Sequence, residues 1–180
     1  MTSPEQVIAK TKQWITKVVI GCNFCPFAAK EVKQNSVHYC VLNNATLKTV
    51  LQQLIEEYER LDDDTAIETS FIILQGSFTE FGDYLNLITT AEKLLRKQGY
   101  DGIYQLASFH PLYIFAGSNE DDAANFTNRS VYPMLHILRE ESIEKALKNY
   151  PGADEIYKRN INFATTKGHA YMKMLRDTCL

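Results

Sequence analysis

Cysteine is scarce in this sequence, with four residues in a chain of 180, at positions 22, 25, 40 and 179. The first ten residues lack the apolar segment of a secretory signal, so we expect reduced thiols rather than a disulfide framework. Long apolar runs are missing too, because the longest, Phe71–Leu74, is far shorter than the roughly 18 residues that cross a membrane. The sequence therefore predicts a cytoplasmic protein without membrane contact.

A positive charge excess is also absent. Nineteen Lys and Arg residues oppose 22 Asp and Glu residues, which gives a net charge of -3. Domains that bind nucleic acid normally carry a basic patch, so no nucleic-acid partner is expected. The hydrophobic fraction of 45% and the length of 180 residues are typical of one globular domain, which we place over residues 1–180. Composition does not predict the oligomeric state.

Helical signals open and close the chain. Ser3, Pro4 and Gln6 form a capping-box pattern, and the apolar spacing that follows predicts a helix over residues 4–20. A last helix is expected over residues 154–177, after the break at Pro151 and Gly152.

Strand and helix patterns alternate between these ends. Strands are predicted at 37–42, 67–75 and 103–109, helices at 44–61, 77–99, 134–141 and 143–149, and either a short edge strand or an ordered loop at 112–116. This order predicts an α/β fold with a small, mainly parallel sheet of three to four strands covered by helices. A two-layer α+β fold of ferredoxin-like kind is the alternative, because three strands leave room for helices on one face only.

Cys25 is the first candidate site residue. Cys22 and Cys25 form a C-x-x-C pair, but the pair follows a helix, and the chain has no second pair that would complete a zinc site. Pro26 suits the first position of a new helix, which would place the Cys25 thiol at a helix N-terminus and favour the thiolate. The alternative is a small apolar residue packed beside phenylalanines.

His110 follows the third predicted strand. Ligands of parallel sheets bind beyond the carboxyl ends of the strands, so His110 lies where a site is expected, although a hydrogen-bonded structural role is equally consistent with its position. The segment Gln75–Ser77 ends the second strand and could offer backbone amides to an anion.

Polar residues are dense between positions 125 and 140. On the predicted helix, His136 and Glu140 share a face, as a metal-ligand pair, an imidazole with its orienting carboxylate, or an ordinary solvated pair. Arg129 and Arg139 could bind a carboxylate or phosphate, or form salt bridges with nearby acidic residues. His38 and His169 have no such neighbours in the sequence and are assigned structural roles.

Three segments carry a resemblance to a known family: GCNFCPFA, SFHPLYIFAG and NRSVYPMLHILRE. Their order and spacing resemble a family of uncharacterised bacterial proteins, domain of unknown function family 1415. The matching residues are Asn23, Cys25, Pro26, Phe27, His110, Pro111, Asn128, Arg129, Ser130, Tyr132, Pro133, His136, Arg139 and Glu140. The resemblance implies a cytoplasmic single-domain protein and no particular activity. Cys22, Leu112 and Val131 depart from the family pattern, and an acidic residue is usual at position 112, which weakens a metal-site interpretation.

The leading hypothesis is a small-molecule enzyme with an anionic substrate. Cys25 would be the nucleophile, His110 or His136 the acid and base, and Glu140 the residue that orients His136. Substrate binding is assigned to Asn128, Arg129, Ser130 and Arg139. The alternatives are a hydrolase-like metal site formed by Cys25, His110 and His136 with a divalent metal, and a non-catalytic binding or interaction module.

Overall fold

The structure, a computed structural model, describes residues 2–180. Four strands are present in this range: β1 (Val37–Asn43), β2 (Thr69–Gln75), β3 (Tyr104–Phe109) and β4 (Met134–Arg139). The α-helices of the same range are α1 (Pro4–Trp14), α2 (Ala28–Gln34), α3 (Leu47–Asp63), α4 (Phe81–Lys97), α5 (Glu140–Lys148), α6 (Ile156–Lys167) and α7 (His169–Asp177).

The strands form one open sheet in the order β1-β2-β4-β3. β1 and β2 are parallel, and β4 runs antiparallel to both of its neighbours. The mixed α/β class is therefore confirmed, whereas the expectation of a mainly parallel sheet is wrong. The error comes from the helix predicted at 134–141, because Met134, Leu135 and Leu138 have helical spacing but belong to a central strand covered on both faces.

Helices cover both faces of the sheet, which excludes the two-layer alternative. Successive residues of β2 point to opposite faces, so Ile72 packs among α3 and α4 whereas Phe71 packs in the second core. Trp14, Ala164 and Met172 of α1, α6 and α7 complete that second core. We refer to the two sides as the α3–α4 face and the α6–α7 face.

The terminal helices differ from their predicted bounds. The capping box is confirmed, since Ser3 Oγ accepts from the Gln6 amide at 3.4 Å and Gln6 Oε1 from the Ser3 amide at 2.9 Å. Beyond Trp14 the helix continues as a π-helical segment, Ile15–Ile20. The predicted helix 154–177 is interrupted at Gly168, whose φ of 82° separates α6 from α7. Within residues 2–180, no helix is both long and apolar enough to cross a membrane.

Candidate functional site

Two of the three segments that carry the resemblance meet at one edge of the sheet. β1, β2 and β3 all end at this edge, and β4, which runs the opposite way, begins there. The chain therefore leaves β3 at His110 and enters β4 after Pro133 on the same side. The connection between them, residues 110–133, contains a 3-10 helical segment, Ala123–Thr127, and the loop 112–116, which is not a strand. Ligands of open α/β sheets bind at such an edge.

His110 is buried and fully hydrogen-bonded. Its Nε2 lies 2.9 Å from the Phe78 carbonyl oxygen, and its Nδ1 accepts from the Leu112 amide at 3.0 Å. A carbonyl only accepts and an amide only donates, so the imidazole is neutral with its proton on Nε2. Burial lowers the pKa of His110, which favours that neutral form. Both ring nitrogens are used by the backbone, so this side chain connects two loops rather than facing a substrate.

Asn125, Asn128 and Ser130 also bond to the backbone. The Asn125 amide accepts from the Phe115 backbone amide at 3.0 Å and donates to the Asn119 carbonyl at 2.7 Å. Asn128 Nδ2 donates to the carbonyl of Ser108 at 3.1 Å. Ser130 is fully buried and donates to the Tyr132 carbonyl at 2.5 Å. The substrate-binding groups predicted at Asn128 and Ser130 are thus occupied in folding the connection.

His136 lies in the middle of β4 and not on a helix. Its ring stacks on Phe71 with 3.8 Å between centroids, and its Nε2 lies 2.6 Å from Thr69 Oγ1, which itself donates to the Ile137 carbonyl. Burial lowers the pKa of His136 to about 3, so the ring is neutral at physiological pH. Glu140 is the first residue of α5, beyond the end of β4, so His136 and Glu140 do not share the helix face on which the orienting role of Glu140 was predicted.

Cys25 lies in the turn between the π-helical segment and α2. Arg159 and Asn160 of α6 hold this turn by donating to the carbonyls of Asn23 and Phe24, each at 2.7 Å. Because α2 begins at Ala28 rather than at Pro26, the thiol is not at the helix N-terminus that we predicted. The Cys25 thiol is half-buried, and all four cysteines are free thiols.

The sheet separates the predicted catalytic residues. His110 contacts Phe81 and Tyr84 on the α3–α4 face, whereas His136 and the turn that bears Cys25 lie on the α6–α7 face. Among residues 2–180, no three His, Cys, Asp or Glu side chains are grouped so that they could hold a metal ion. A metal site formed by Cys25, His110 and His136 is therefore wrong, and so is a catalytic site that needs all three.

Arg129 is a buried cation in the connection. Only 6% of the residue is exposed, and its guanidinium donates to the carbonyls of Tyr113 and Glu120 at 2.9 and 2.8 Å. Within residues 2–180, no carboxylate lies within 4.0 Å of it, and Nη1 makes no hydrogen bond although solvent reaches this atom. Arg129 is the one predicted substrate-binding residue of the described chain with a polar group left over.

Arg176 of α7 is the second cation of this region. The guanidiniums of Arg129 and Arg176 lie 4.9 and 5.7 Å from the ring centre of Phe126. Burial lowers the pKa of Arg129, the positive charge of Arg176 lowers it further, and acidic residues at 120–122 act in the opposite direction. The Arg176 guanidinium also donates to the carbonyl of Pro111 at 3.1 Å and pairs with Asp177 at 2.6 Å.

Arg139 lies at the opposite edge of the sheet, at the end of β4. Its guanidinium donates to the carbonyls of Leu61 and Ile67, at 2.5 and 2.9 Å, near the C-terminus of α3. The negative end of the helix dipole stabilises a cation at this position. Arg139 therefore cannot share a ligand with Arg129, and the pairing of these two arginines is wrong.

A cavity of about 390 Å³ opens near the carboxyl ends of β1 and β2, between α3 and α4. Its polar lining consists of Thr46, Asp83, Asn86 and Thr90, and Phe78, which accepts from His110, forms part of the wall. The cavity has a carboxylate and no cation among its lining residues, so it does not suit the predicted anion.

Sequence reasoning missed a buried charged group on α3. Glu57 is fully buried, and its carboxylate lies 2.8 Å from His38 Nδ1 and accepts from Ser70 Oγ at 2.5 Å. Burial alone would raise the pKa of Glu57, but the hydrogen bonds from His38 and Ser70 outweigh it and lower the pKa to about 2. The sequence did contain a signal, because Glu57 interrupts the apolar stripe of α3 between Leu54 and Leu61.

Comparison with known proteins gives a family and no closer relative. No curated protein and no solved structure matches the chain. The family model described as "Protein of unknown function (DUF1415)" matches residues 6–174, which include all three segments of the resemblance. The chain therefore belongs to the DUF1415 family.

Proposed function

We propose that this protein binds an anionic small molecule at Arg129 and Arg176. The observation that supports the proposal is the buried Arg129 guanidinium, which contacts no carboxylate among residues 2–180 and has an Nη1 without a hydrogen bond to them. A buried charge is costly unless it is paired, and an anion bound to Nη1 would supply the missing partner.

The second guanidinium strengthens this argument. The positive charge of Arg176 lowers the pKa of Arg129, which indicates that the two guanidiniums are close enough to repel each other. An anion held near both would offset this repulsion, and arginine binds carboxylates and phosphates through two parallel hydrogen bonds. We therefore favour a ligand that carries a carboxylate or a phosphate.

A thermal-shift screen of phosphorylated and carboxylated metabolites tests the proposal. A ligand at about 100 times its dissociation constant adds roughly 2.7 kcal/mol of stability, which raises the Tm by about 5 to 10 °C in a domain of this size. Arg176→Gln should weaken the response to the best anion at least tenfold in concentration.

Arg96→Gln is the matched control, because Arg96 is an exposed arginine of α4 and its replacement removes the same charge. The proposal is contradicted if no anion stabilises the wild-type protein. It is also contradicted if Arg96→Gln weakens the response as much as Arg176→Gln does, since the effect would then reflect net charge alone.

A further inference from the structure

The buried carboxylate of Glu57 is saturated with donors. Oε2 accepts hydrogen bonds from His38 Nδ1 and Ser70 Oγ. Oε1 accepts from Gln53 Nε2 at 3.1 Å and from Arg60 Nε at 3.3 Å. A buried carboxylate with four donors is ionised, and it only accepts hydrogen bonds. The proton of the neutral imidazole must therefore lie on His38 Nδ1, which leaves the lone pair on Nε2.

His38 Nε2 is available for chemistry. It makes no hydrogen bond to residues 2–180, and 29% of the His38 side chain is exposed. A buried carboxylate that fixes Nδ1–H and leaves Nε2 facing outward is the arrangement that orients a general base. A purely structural imidazole normally uses both ring nitrogens in hydrogen bonds, as His110 does.

We propose that His38 is a general base positioned by Glu57, acting on small esters at the β1 side of the α3–α4 face. Nε2 accepts a proton from water as the water oxygen bonds to the ester carbonyl carbon. The bond from this carbon to the alcohol oxygen then breaks, and Nε2 returns the proton to the departing alkoxide. Arg60, whose side chain is 43% exposed, donates its Nε–H to Glu57 Oε1 at 3.3 Å and so helps to hold the carboxylate in place.

Other titratable groups around His38 do not compete for the role. Cys40 lies two residues further along β1, on the same side of the strand, and burial together with the charge of Glu57 raises the pKa of its thiol to about 11. Cys40 therefore keeps its proton at neutral pH. Glu56, the remaining acidic residue near Cys40, makes no hydrogen bond to His38.

Hydrolysis of p-nitrophenyl acetate by the full chain tests the proposal, with His38→Gln and Glu57→Gln as variants. His38→Gln should slow hydrolysis about tenfold or more, the low end of what a general base contributes. Glu57→Gln should lower the rate as well, because an amide can donate to Nδ1 and no longer requires the imidazole proton to lie there. His169→Gln is the control, since His169 has no carboxylate within 4.0 Å among residues 2–180.

Nitrogen-15 NMR of the wild-type imidazoles provides a measurement that does not depend on variants that fold. We expect the His38 proton on Nδ1 at pH 8. A proton on Nε2, or a His38→Gln variant as active as the His169→Gln control, would overturn the proposal. Loss of rate in Glu57→Gln while the His38 proton stays on Nδ1 would also overturn it, because a carboxylate that only stabilises the fold would behave in that way.

Discussion

Different kinds of contact stabilise the structure on the two faces of the sheet. On the α3–α4 face, two helices of 17 residues each pack apolar side chains on the strands, and Glu57 is the main buried charge. On the α6–α7 face, an irregular connection is fixed by hydrogen bonds from buried polar side chains to the backbone, among them Asn125 and Arg129. Residues that match a family motif can therefore serve to fold a connection as much as to perform chemistry.

The largest effect on stability is expected at Glu57, the buried charge of the α3–α4 face. Glu57→Ala would leave the donors of His38, Ser70 and Arg60 without their buried acceptor. Breaking such a buried group typically costs about 3 to 5 kcal/mol of unfolding free energy. Urea unfolding measures this loss, with the exposed neighbour Glu59→Ala as a control that should change stability by less than about 0.5 kcal/mol. Equal effects of the two variants would mean that Glu57 is not the anchor of this face.

A somewhat smaller effect is expected at the carboxyl edge of the sheet. His110→Ala would remove the partners of the Phe78 carbonyl and the Leu112 amide and leave a void, at a cost of about 2 to 4 kcal/mol. A functional imidazole, the role of His110 in the leading hypothesis, could be removed with the fold nearly intact. A His110→Ala variant with the wild-type Tm would restore that interpretation.

The regular helices α1 and α3 were predictable from the sequence. The spacing of Leu54, Tyr58 and Leu61 predicts α3, and the capping box at Ser3 predicts the start of α1. Strand β4 was missed because His136 and Arg139 are polar residues in a buried strand, where a clear alternation is absent. Interactions between distant positions of the chain, such as the hydrogen bond of His38 with Glu57 or the effect of the Arg176 charge on Arg129, depend on packing that no local spacing encodes.

The pH dependence of stability tests the burial of His136 within the sheet. An unfolded histidine binds a proton near pH 6.5, whereas folded His136 binds one only near pH 3. The stabilisation is thus present above pH 6.5 and is lost as the pH falls from 6.5 toward 3, by about 1.4 kcal/mol per pH unit for one such group. His136→Phe should remove that share of the slope between pH 6 and pH 4 in urea unfolding. Parallel curves for wild type and variant would show that His136 is solvated.

The smallest effect on stability is expected at the acidic residues near Arg129. Glu120 and Asp121 are exposed and act on Arg129 without touching its guanidinium through their carboxylates. The double variant Glu120→Gln and Asp121→Asn should bind inorganic phosphate several-fold more tightly, while stability changes by less than about 1 kcal/mol. A larger loss of stability with unchanged phosphate affinity would identify these carboxylates as the counterions of Arg129.

The proposed anion site can be tested most directly in the unaltered protein by an NMR titration with inorganic phosphate. The Nε–Hε signals of the arginine side chains report contact at each guanidinium separately. The signals of Arg129 and Arg176 should shift together along one saturable curve, while those of Arg96 and Arg139 stay in place. A stationary Arg129 signal, or equal non-saturating shifts at all four arginines, would contradict an anion site in the connection.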